Sequence, residues 1–129
     1  LVCYEDIFPG LAGKMQYSAN SLIFVTTNDA WFAEEGCAEQ HAAHSVIRAL
    51  ETGMPVLRCG NAGWSGWISP RGVIREVLHN KEGSVYFKGA SVLDIEWPAG
   101  GVTFFTRNGN YFVVFCFFFL IYKQYLPIS

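Results

Sequence analysis

The chain has 129 residues, of which 51% are hydrophobic and 16% aromatic, and its formal net charge is −2. This length suits one modest hydrophobic core and is short for two comfortable domains. Nine basic and 11 acidic residues leave no excess of positive charge, which excludes a strongly basic nucleic-acid-binding surface. The four cysteines include no CxxC pair, so no disulfide framework is indicated, although a single bond stays open. Because the sequence opens at Leu1 inside an apolar stretch, without a signal peptide, we expect a longer parent protein.

The first candidate functional residue is Cys3, which follows the apolar residues Leu1 and Val2. Those two residues predict the end of a buried strand, and residues 6–15, with Pro9 in the first turn, predict a helix. Cys3 is therefore predicted to lie at a strand-to-helix bend, where a helix N-terminus favours the thiolate. A thiolate is the form that attacks a carbonyl carbon. The alternative is a small buried cysteine with a structural role only.

The next element is a strand over residues 21–27, whose continuous β-branched and aromatic run is typical of a strand covered on both faces. Asn28, Asp29, Trp31 and Phe32 follow at its C-terminal end, where open α/β sheets collect ligand-contacting loops. This segment can line a pocket. It can equally form an Asn-Asp turn whose aromatic side chains fold back onto the core, and the sequence leaves both interpretations open.

Residues 38–52 give the clearest helix prediction, with an apolar face that includes Ala42, Val46 and Leu50 and a stop signal at Gly53. The apolar spacing places this face against the rest of the core.

Polar side chains on the same helix allow two further interpretations. Arg48 and Glu51 are spaced i, i+3 and predict an ion pair. Cys37, His41 and His44 would share a face and could supply three zinc ligands. Because no fourth ligand is evident and isolated helical histidines are usually structural, we expect neither a metal nor any other cofactor.

The middle of the chain predicts a hairpin. Residues 56–59 form a strand, and residues 64–69 and 73–78 form a strand pair around a tight turn at 70–72, where proline is favoured. Residues 92–97 alternate between acidic and apolar side chains and predict another strand.

The last segment, residues 111–122, contains no charged residue. As a helix its 12 residues would cover ~18 Å, against a hydrocarbon thickness of ~30 Å. Tyrosines and Lys123 flank it as interfacial anchors would. A buried strand is the alternative, because the run has high β-propensity. We favour membrane contact, since such a patch left exposed in water would aggregate.

The ordered motifs resemble the bacterial apolipoprotein N-acyltransferases, which are members of the carbon-nitrogen hydrolase, or nitrilase, superfamily. The resemblance covers nearly the whole chain. The motifs that carry it are Cys3-Tyr4-Glu5, Phe8-Pro9, Thr27-Asn28-Asp29-Ala30-Trp31-Phe32, Gln40-His41, Arg48-Ala49-Leu50-Glu51, Pro55, Arg58, Asn61, Gly63, Pro70, Gly72 and Thr106-Arg107-Asn108-Gly109-Asn110.

This resemblance implies an α/β fold that is part of a nitrilase-type four-layer α-β-β-α sandwich, followed by the start of a C-terminal transmembrane helix. Residues 1–110 would form the C-terminal portion of the hydrolase domain, and residues 111–129 a membrane-associated or transmembrane tail. The implied location is the bacterial inner membrane, with the catalytic domain facing the periplasm.

The resemblance also implies a reaction and its participants. Cys3 would take an acyl chain from a phospholipid as a thioester and pass it to the N-terminal cysteine amine of an apolipoprotein. The backbone N–H of Tyr4 would face the developing oxyanion, and Glu5 would orient groups around the nucleophile or assist proton transfer. The implied substrate-binding residues are Asn28, Trp31 and Phe32.

The sequence also departs from the pattern of the family. The glutamate base and the lysine of these enzymes precede the nucleophile and lie outside these residues, so we expect the chain alone to be inactive. Ala33 stands where a glycine is usual, which bears on the backbone conformation of that loop. Two alternatives remain open: a soluble nitrilase-type amidohydrolase, and a truncated fragment without catalytic function.

Overall fold

The computed structural model describes residues 1–15, 21–32, 36–96 and 102–125. Four strands make up one sheet: β1 (Ile23–Asn28), β2 (Val56–Asn61), β3 (Gly66–Ile68) and β4 (Ile74–Val77). Four α-helices accompany it: α1 (Pro9–Ala12), α2 (Cys37–Thr52), α3 (Phe104–Asn108) and α4 (Tyr111–Gln124). Two short 3₁₀ helices span Cys3–Ile7 and Ala30–Phe32. The described residues therefore form a mixed α/β structure, as predicted.

The sheet has the strand order β1-β2-β3-β4. β1 runs parallel to β2, whereas β3 is antiparallel to both of its neighbours. Val2 forms one isolated parallel bridge to Thr26, and the Thr26 N–H donates to the Leu1 carbonyl at 3.1 Å. The start of the chain thus runs alongside β1, as predicted, although Val2 is 64% exposed rather than buried.

The core lies on one face of the sheet. Ile23 and Val25 of β1 are fully buried and belong to the same cluster as Val56 and Ile68. Phe24 lies on the opposite face of β1 and is 46% exposed. The prediction that this strand is covered on both faces is therefore wrong for the described residues. A continuous apolar run shows that both faces of a strand can be buried. Burial of the second face also needs another element that packs against it, and the run itself does not provide one.

The predicted helix over residues 6–15 is wrong in its extent. The 3₁₀ helix Cys3–Ile7 comes first, and α1 contains only four residues. Phe8 separates the two with extended backbone angles, φ −94° and ψ 107°. Proline disfavours helical angles in the residue before it, so Pro9 divides the segment and begins the second helix.

The predicted bounds of α2 are confirmed, but the residues on its buried face differ from those predicted. Gly53 ends the helix with φ +70°, and its N–H donates to the Ala49 carbonyl at 2.8 Å. Leu50, predicted to lie on the core face, is 53% exposed. The buried face instead carries polar residues between small apolar ones, namely Ala38, His41, Ala42, Ser45, Arg48, Ala49 and Thr52.

The ion pair predicted on α2 is present. Arg48 Nε lies 2.8 Å from Glu51 Oε2, with the arginine side chain buried and the glutamate side chain mostly so. Burial raises the pKa of Glu51, and the neighbouring Arg48 partly opposes that effect.

The hairpin is confirmed, and the later strand is not. β3 and β4 pair around the turn at residues 70–72, where Gly72 has φ +72° and donates to the Ser69 carbonyl at 2.9 Å. Residues 92–96 form no strand, and residue 97 lies outside the described residues. Val92 is 93% exposed. Alternation predicts which side chains could share a face, but a strand also needs a neighbouring edge, and no described segment pairs with this one.

The C-terminal apolar run is helical, which excludes the buried-strand alternative. α4 exposes most of its large side chains, including Phe112, Phe118 and Leu120. Within the described part of the chain, no helix combines the length and the apolar character needed to cross a membrane. At 14 residues, α4 measures ~21 Å, which is shorter than the hydrocarbon layer.

Candidate functional site

Cys3 lies at a strand-to-helix bend, as predicted. Val2 is extended, with φ −116° and ψ 123°, and the 3₁₀ helix begins at Cys3. The φ of Cys3 is +52°, a left-handed conformation that residues other than glycine seldom adopt. A side chain larger than hydrogen at such a position has a conformational cost, and such strained positions cluster at functional sites. The thiol is partly exposed.

Glu5 closes the bend at Cys3. Its Oε2 accepts a hydrogen bond from the Val2 N–H at 2.8 Å, and the Glu5 N–H donates to the Val2 carbonyl at 3.1 Å. The two bonds are reciprocal, in the manner of a capping box, and satisfy backbone groups that a short helix leaves free. In this structure the Glu5 carboxylate therefore stabilises the backbone that presents the thiol.

Tyr4 joins the bend to two aromatic neighbours. Its ring stacks on His41 with centroids 4.6 Å apart and meets Phe32 edge-on at 5.9 Å. Partial burial, together with the nearby Cys37 and Cys3 thiols and two buried carboxyl groups, raises the pKa of the Tyr4 hydroxyl above its ordinary value of 10.0. Tyr4 is therefore a neutral phenol at physiological pH.

Asp6, three residues after Cys3, is fully buried, and no sequence pattern singles it out as a functional residue. Its Oδ2 accepts from Ser45 Oγ at 2.7 Å and from Arg58 Nη1 at 2.5 Å. Its Oδ1 lies 3.1 Å from Nε2 of His41. One carboxylate thus binds side chains from both α2 and β2. These contacts give it the hydrogen-bond and ion-pair partners that a buried charge requires.

Asp29 is the second buried carboxylate. Its Oδ1 lies 2.8 Å from Nδ1 of His41 and accepts from Thr27 Oγ1 at 2.9 Å. Its Oδ2 and Nη2 of Arg58 are 3.7 Å apart, an ion-pair distance. Asp29 follows β1 directly, so this carboxylate connects the end of the parallel strand to the same histidine and arginine that hold Asp6.

Arg48 contacts the backbone of the bend segment. Its Nη1 donates to the carbonyl of Asp6 at 3.3 Å and to that of Ile7 at 3.1 Å. These carbonyls belong to the end of a short helix, where they lack partners within the helix. α2 therefore contacts the 3₁₀ helix through side chains and through the backbone.

The three predicted substrate-binding residues occupy different surroundings. Asn28 Oδ1 accepts from Asn61 Nδ2 at 2.9 Å, which connects the ends of β1 and β2. Phe32 touches Tyr4 and so lies near the bend, whereas Trp31 is 81% exposed. Ala33, where a glycine was expected, lies outside the described residues.

A cleft of about 930 Å³ opens at the C-terminal ends of β1 and β2. Its walls include Thr26, Cys59 and Asn61 from the sheet and residues 86–89 from the following loop. This position matches the edge where open α/β sheets place ligand sites. None of the six predicted site residues lines the cleft, so the cleft does not surround Cys3.

The zinc interpretation conflicts with the surroundings of His41. Both of its ring nitrogens lie against carboxylate oxygens, so neither nitrogen is free to bind a metal. Across the described ranges, no group of three or more His, Cys, Asp or Glu side chains is arranged to hold a metal ion. All four cysteines lie in these ranges, and all are free thiols.

The chain is similar to several curated proteins, each named apolipoprotein N-acyltransferase. The protein from Rickettsia bellii is 34% identical over 126 residues, which cover 98% of this chain and 24% of that protein. The protein from Geobacter metallireducens is 35% identical over 117 residues, which cover 90% of this chain and 21% of that protein. The protein from Allorhizobium ampelinum is 44% identical over 84 residues, which cover 64% of this chain and 16% of that protein. The chain thus spans about a quarter or less of the length of these relatives.

The family match coincides with the part of the chain that builds the bend, the sheet and α2. The sequence model described as carbon-nitrogen hydrolase matches residues 1–94, well over half of the chain. Together with the strand-to-helix cysteine and the mixed α/β sheet, this match shows that the chain belongs to the carbon-nitrogen hydrolase family.

Proposed function

We propose that this chain forms the nucleophile-bearing part of an apolipoprotein N-acyltransferase. The observation that carries the proposal is Cys3 at a strained strand-to-helix bend, inside a sequence that aligns with enzymes of that name over as much as 98% of its length. A bend of this kind holds a thiol clear of its own backbone, where an acyl carbonyl can approach it.

The proposed reaction has two acyl-transfer steps. In the first, the Cys3 thiolate attacks an ester carbonyl of a phospholipid, a C–S bond forms, and the C–O bond breaks to release a lysophospholipid, which takes up a proton. In the second, the N-terminal amine of an apolipoprotein attacks the thioester, a C–N bond forms, and the C–S bond breaks. The proton lost by the amine returns to the thiol, so the enzyme is regenerated.

The residues around Cys3 have separate roles in this proposal. The backbone N–H of Tyr4 donates to the oxyanion that develops in each step. Glu5 holds the bend through Val2, so it orients the nucleophile. In this proposal a glutamate base and a lysine complete the site from the remainder of a longer protein, since the chain spans about a quarter or less of the length of its relatives.

Substrate contacts follow from the exposed aromatic side chains. Phe32 reaches the bend through Tyr4, and Trp31 presents most of its surface to the exterior, so we assign both to the acyl chain. Asn28 shapes the strand ends beside the cleft. The exposed apolar surface of α4 contacts the inner membrane, with the catalytic domain on the periplasmic side.

The exposed face of β1 supports the expected sandwich. In the longer protein, Phe24 and its neighbours on that face would pack against a second sheet and so complete the four α-β-β-α layers. No cofactor is needed for either acyl-transfer step.

The test uses the longer protein in membranes with a phospholipid donor and no acceptor. We expect intact-mass analysis to show an added acyl group that maps to the Cys3 peptide and is released by hydroxylamine. Cys3→Ala should lose the adduct, and Cys116→Ala, which removes another free thiol, should keep it. Acylation of a different residue, or full transfer by Cys3→Ala, contradicts the proposal.

Adding acceptors separates the proposal from the amidohydrolase alternative. A lipopeptide with a free N-terminal cysteine amine should discharge the adduct and gain the acyl mass. If water discharges it equally fast and the lipopeptide stays unmodified, the protein is a hydrolase.

A further inference from the structure

The buried charged cluster beneath the bend has no role in the reaction as proposed. Its members are Asp6, Asp29, His41, Ser45 and Arg58, all buried, with Arg58 the largest fully buried side chain in the described part of the chain. None of them is a reacting group in either acyl-transfer step. The cluster nevertheless lies directly under the segment that presents Cys3.

Stability alone is a weak reason for such a cluster. Removing charges from water has a large desolvation cost, and well-packed apolar residues often replace a buried ion pair without loss of stability. Here two carboxylates and one guanidinium are buried together, joined by an imidazole. His41 lies between the two carboxylates, with Nε2 3.1 Å from Oδ1 of Asp6 and Nδ1 2.8 Å from Oδ1 of Asp29.

The buried cluster holds the short helix that begins at Cys3. Asp6 follows Cys3 by three residues within the same short 3₁₀ helix, so about one turn of backbone joins the buried carboxylate to the nucleophile. Ser45 and Arg58 hold the Asp6 carboxylate from α2 and β2, and Arg48 holds the Asp6 carbonyl. The turn that begins at the strained cysteine is thus fixed at its far end by rigid elements.

The same cluster supports the residue after the nucleophile. The His41 ring, held between two carboxylates, is the surface on which Tyr4 stacks. A shift of His41 would move Tyr4, and with it the backbone N–H that we assign to the oxyanion.

We propose that Asp6 is a positioning residue for the Cys3 nucleophile: the bonds of its buried carboxylate to Arg58, Ser45 and His41 fix the bend in the conformation that aligns the thiol and the Tyr4 N–H with the acyl carbonyl. The proposal rests on the function proposed above. Asp6 touches no substrate and acts only through the bend.

The principal variant is Asp6→Asn in the longer protein. Asparagine has nearly the same shape, but its NH2 group replaces one carboxylate oxygen and the negative charge is lost, so the side chain no longer accepts hydrogen bonds at both positions. We expect kcat for acyl transfer to fall by about 100-fold, which is the size of effect that a small misplacement of reacting groups produces. The KM values for donor and acceptor should stay within about two-fold, because no substrate contact is removed.

Two controls separate positioning from loss of stability. Asp94→Asn makes the same chemical change at an exposed aspartate and should leave kcat unchanged. Val56→Ala removes buried apolar volume from β2 outside the cluster. At a temperature where it is folded it should keep near-normal kcat, even if its melting temperature falls as much as that of Asp6→Asn.

A less disruptive substitution tests the same role if Asp6→Asn does not fold. Ser45→Ala removes one hydrogen-bond donor from the Asp6 carboxylate and should lower kcat about five-fold, again with little change in KM. If neither soluble variant lowers kcat beyond its loss of folded protein, or if KM alone rises, the positioning role is wrong.

A substrate-free measurement distinguishes this proposal from the function on which it rests. The alkylation rate of the Cys3 thiol by iodoacetamide, followed by peptide mass analysis, should change several-fold in Asp6→Asn and not in Asp94→Asn. A changed rate in a protein whose wild type transfers no acyl group would support the positioning role and contradict the acyltransferase. An unchanged rate with normal transfer would contradict the positioning role alone.

Discussion

At the scale of single residues, the conformation of Cys3 is the feature that sets the site apart. Its φ of +52° has one counterpart among the other non-glycine residues that the structure describes, Ala62 with φ +48°. Ala62 lies in the turn between β2 and β3, where a positive φ reverses the chain. Cys3 lies where an extended segment becomes a helix, and a glycine there would avoid the strain but would carry no thiol.

Replacing the strained cysteine should therefore reveal a conflict between function and stability. We expect the free energy of unfolding of Cys3→Gly to be about 1 kcal/mol higher than that of Cys3→Ala, because only glycine adopts this φ without cost. Both variants lack the thiol, so the comparison isolates the backbone. Chemical denaturation of the two proteins measures the difference.

Two glycine substitutions calibrate that measurement. Ala62→Gly, at the other positive φ, should also stabilise. Ala43→Gly, at an exposed position inside α2, should destabilise by about 1 kcal/mol. A Cys3→Gly protein less stable than Cys3→Ala would show that the bend is not strained.

At the scale of elements, α2 shows how a helix can be predicted correctly and oriented wrongly. Its bounds follow from local signals, since Gly53 adopts the left-handed conformation that ends a helix. Its buried face includes His41, Ser45 and Arg48, which resemble a solvent-facing stripe when read from the sequence. These side chains are buried because their partners, Asp6 and Arg58, come from other elements.

The β3–β4 hairpin supplies a test at the element scale. A Cβ placed on Gly66 would collide with the carbonyl oxygen of Glu76 on the paired strand and press against the ring of Trp64. Gly66→Ala should therefore destabilise the protein by about 3 kcal/mol, measured as a change in unfolding free energy. The matched change Gly10→Ala enters open space in α1 and should be neutral or slightly stabilising. Equal effects of the two substitutions would show that the close strand approach at Gly66 has no energetic importance.

At the scale of the whole molecule, the described residues bury one face of the sheet and leave much of the other accessible. Phe24 on β1 and Cys59 on β2 are exposed, as are most of the apolar side chains of α4. The relatives are about four to six times longer than the segment they share with this chain. Surfaces of this kind are expected where further structure of the same protein, or a membrane, completes the fold.

The 129 residues alone should not transfer acyl groups. In the proposed mechanism a glutamate base and a lysine come from the remainder of a longer protein, so a polypeptide of these residues alone would lack both groups. Incubation with a phospholipid donor and a lipopeptide acceptor should leave the lipopeptide mass unchanged. Turnover that disappears on Cys3→Ala would overturn this prediction.

The amino-acid sequence by itself determined the helix α2, the first strand, the hairpin and the position of Cys3 at a bend, because each depends on periodicity or on turn residues within a few positions. It also placed the chain in its family through ordered motifs. The tertiary structure alone decided that residues 92–96 form no strand and that Asp6, His41, Asp29 and Arg58 form one buried cluster. These outcomes depend on partners up to 52 residues apart, and a buried charge is recognised only when the groups that compensate it are seen around it.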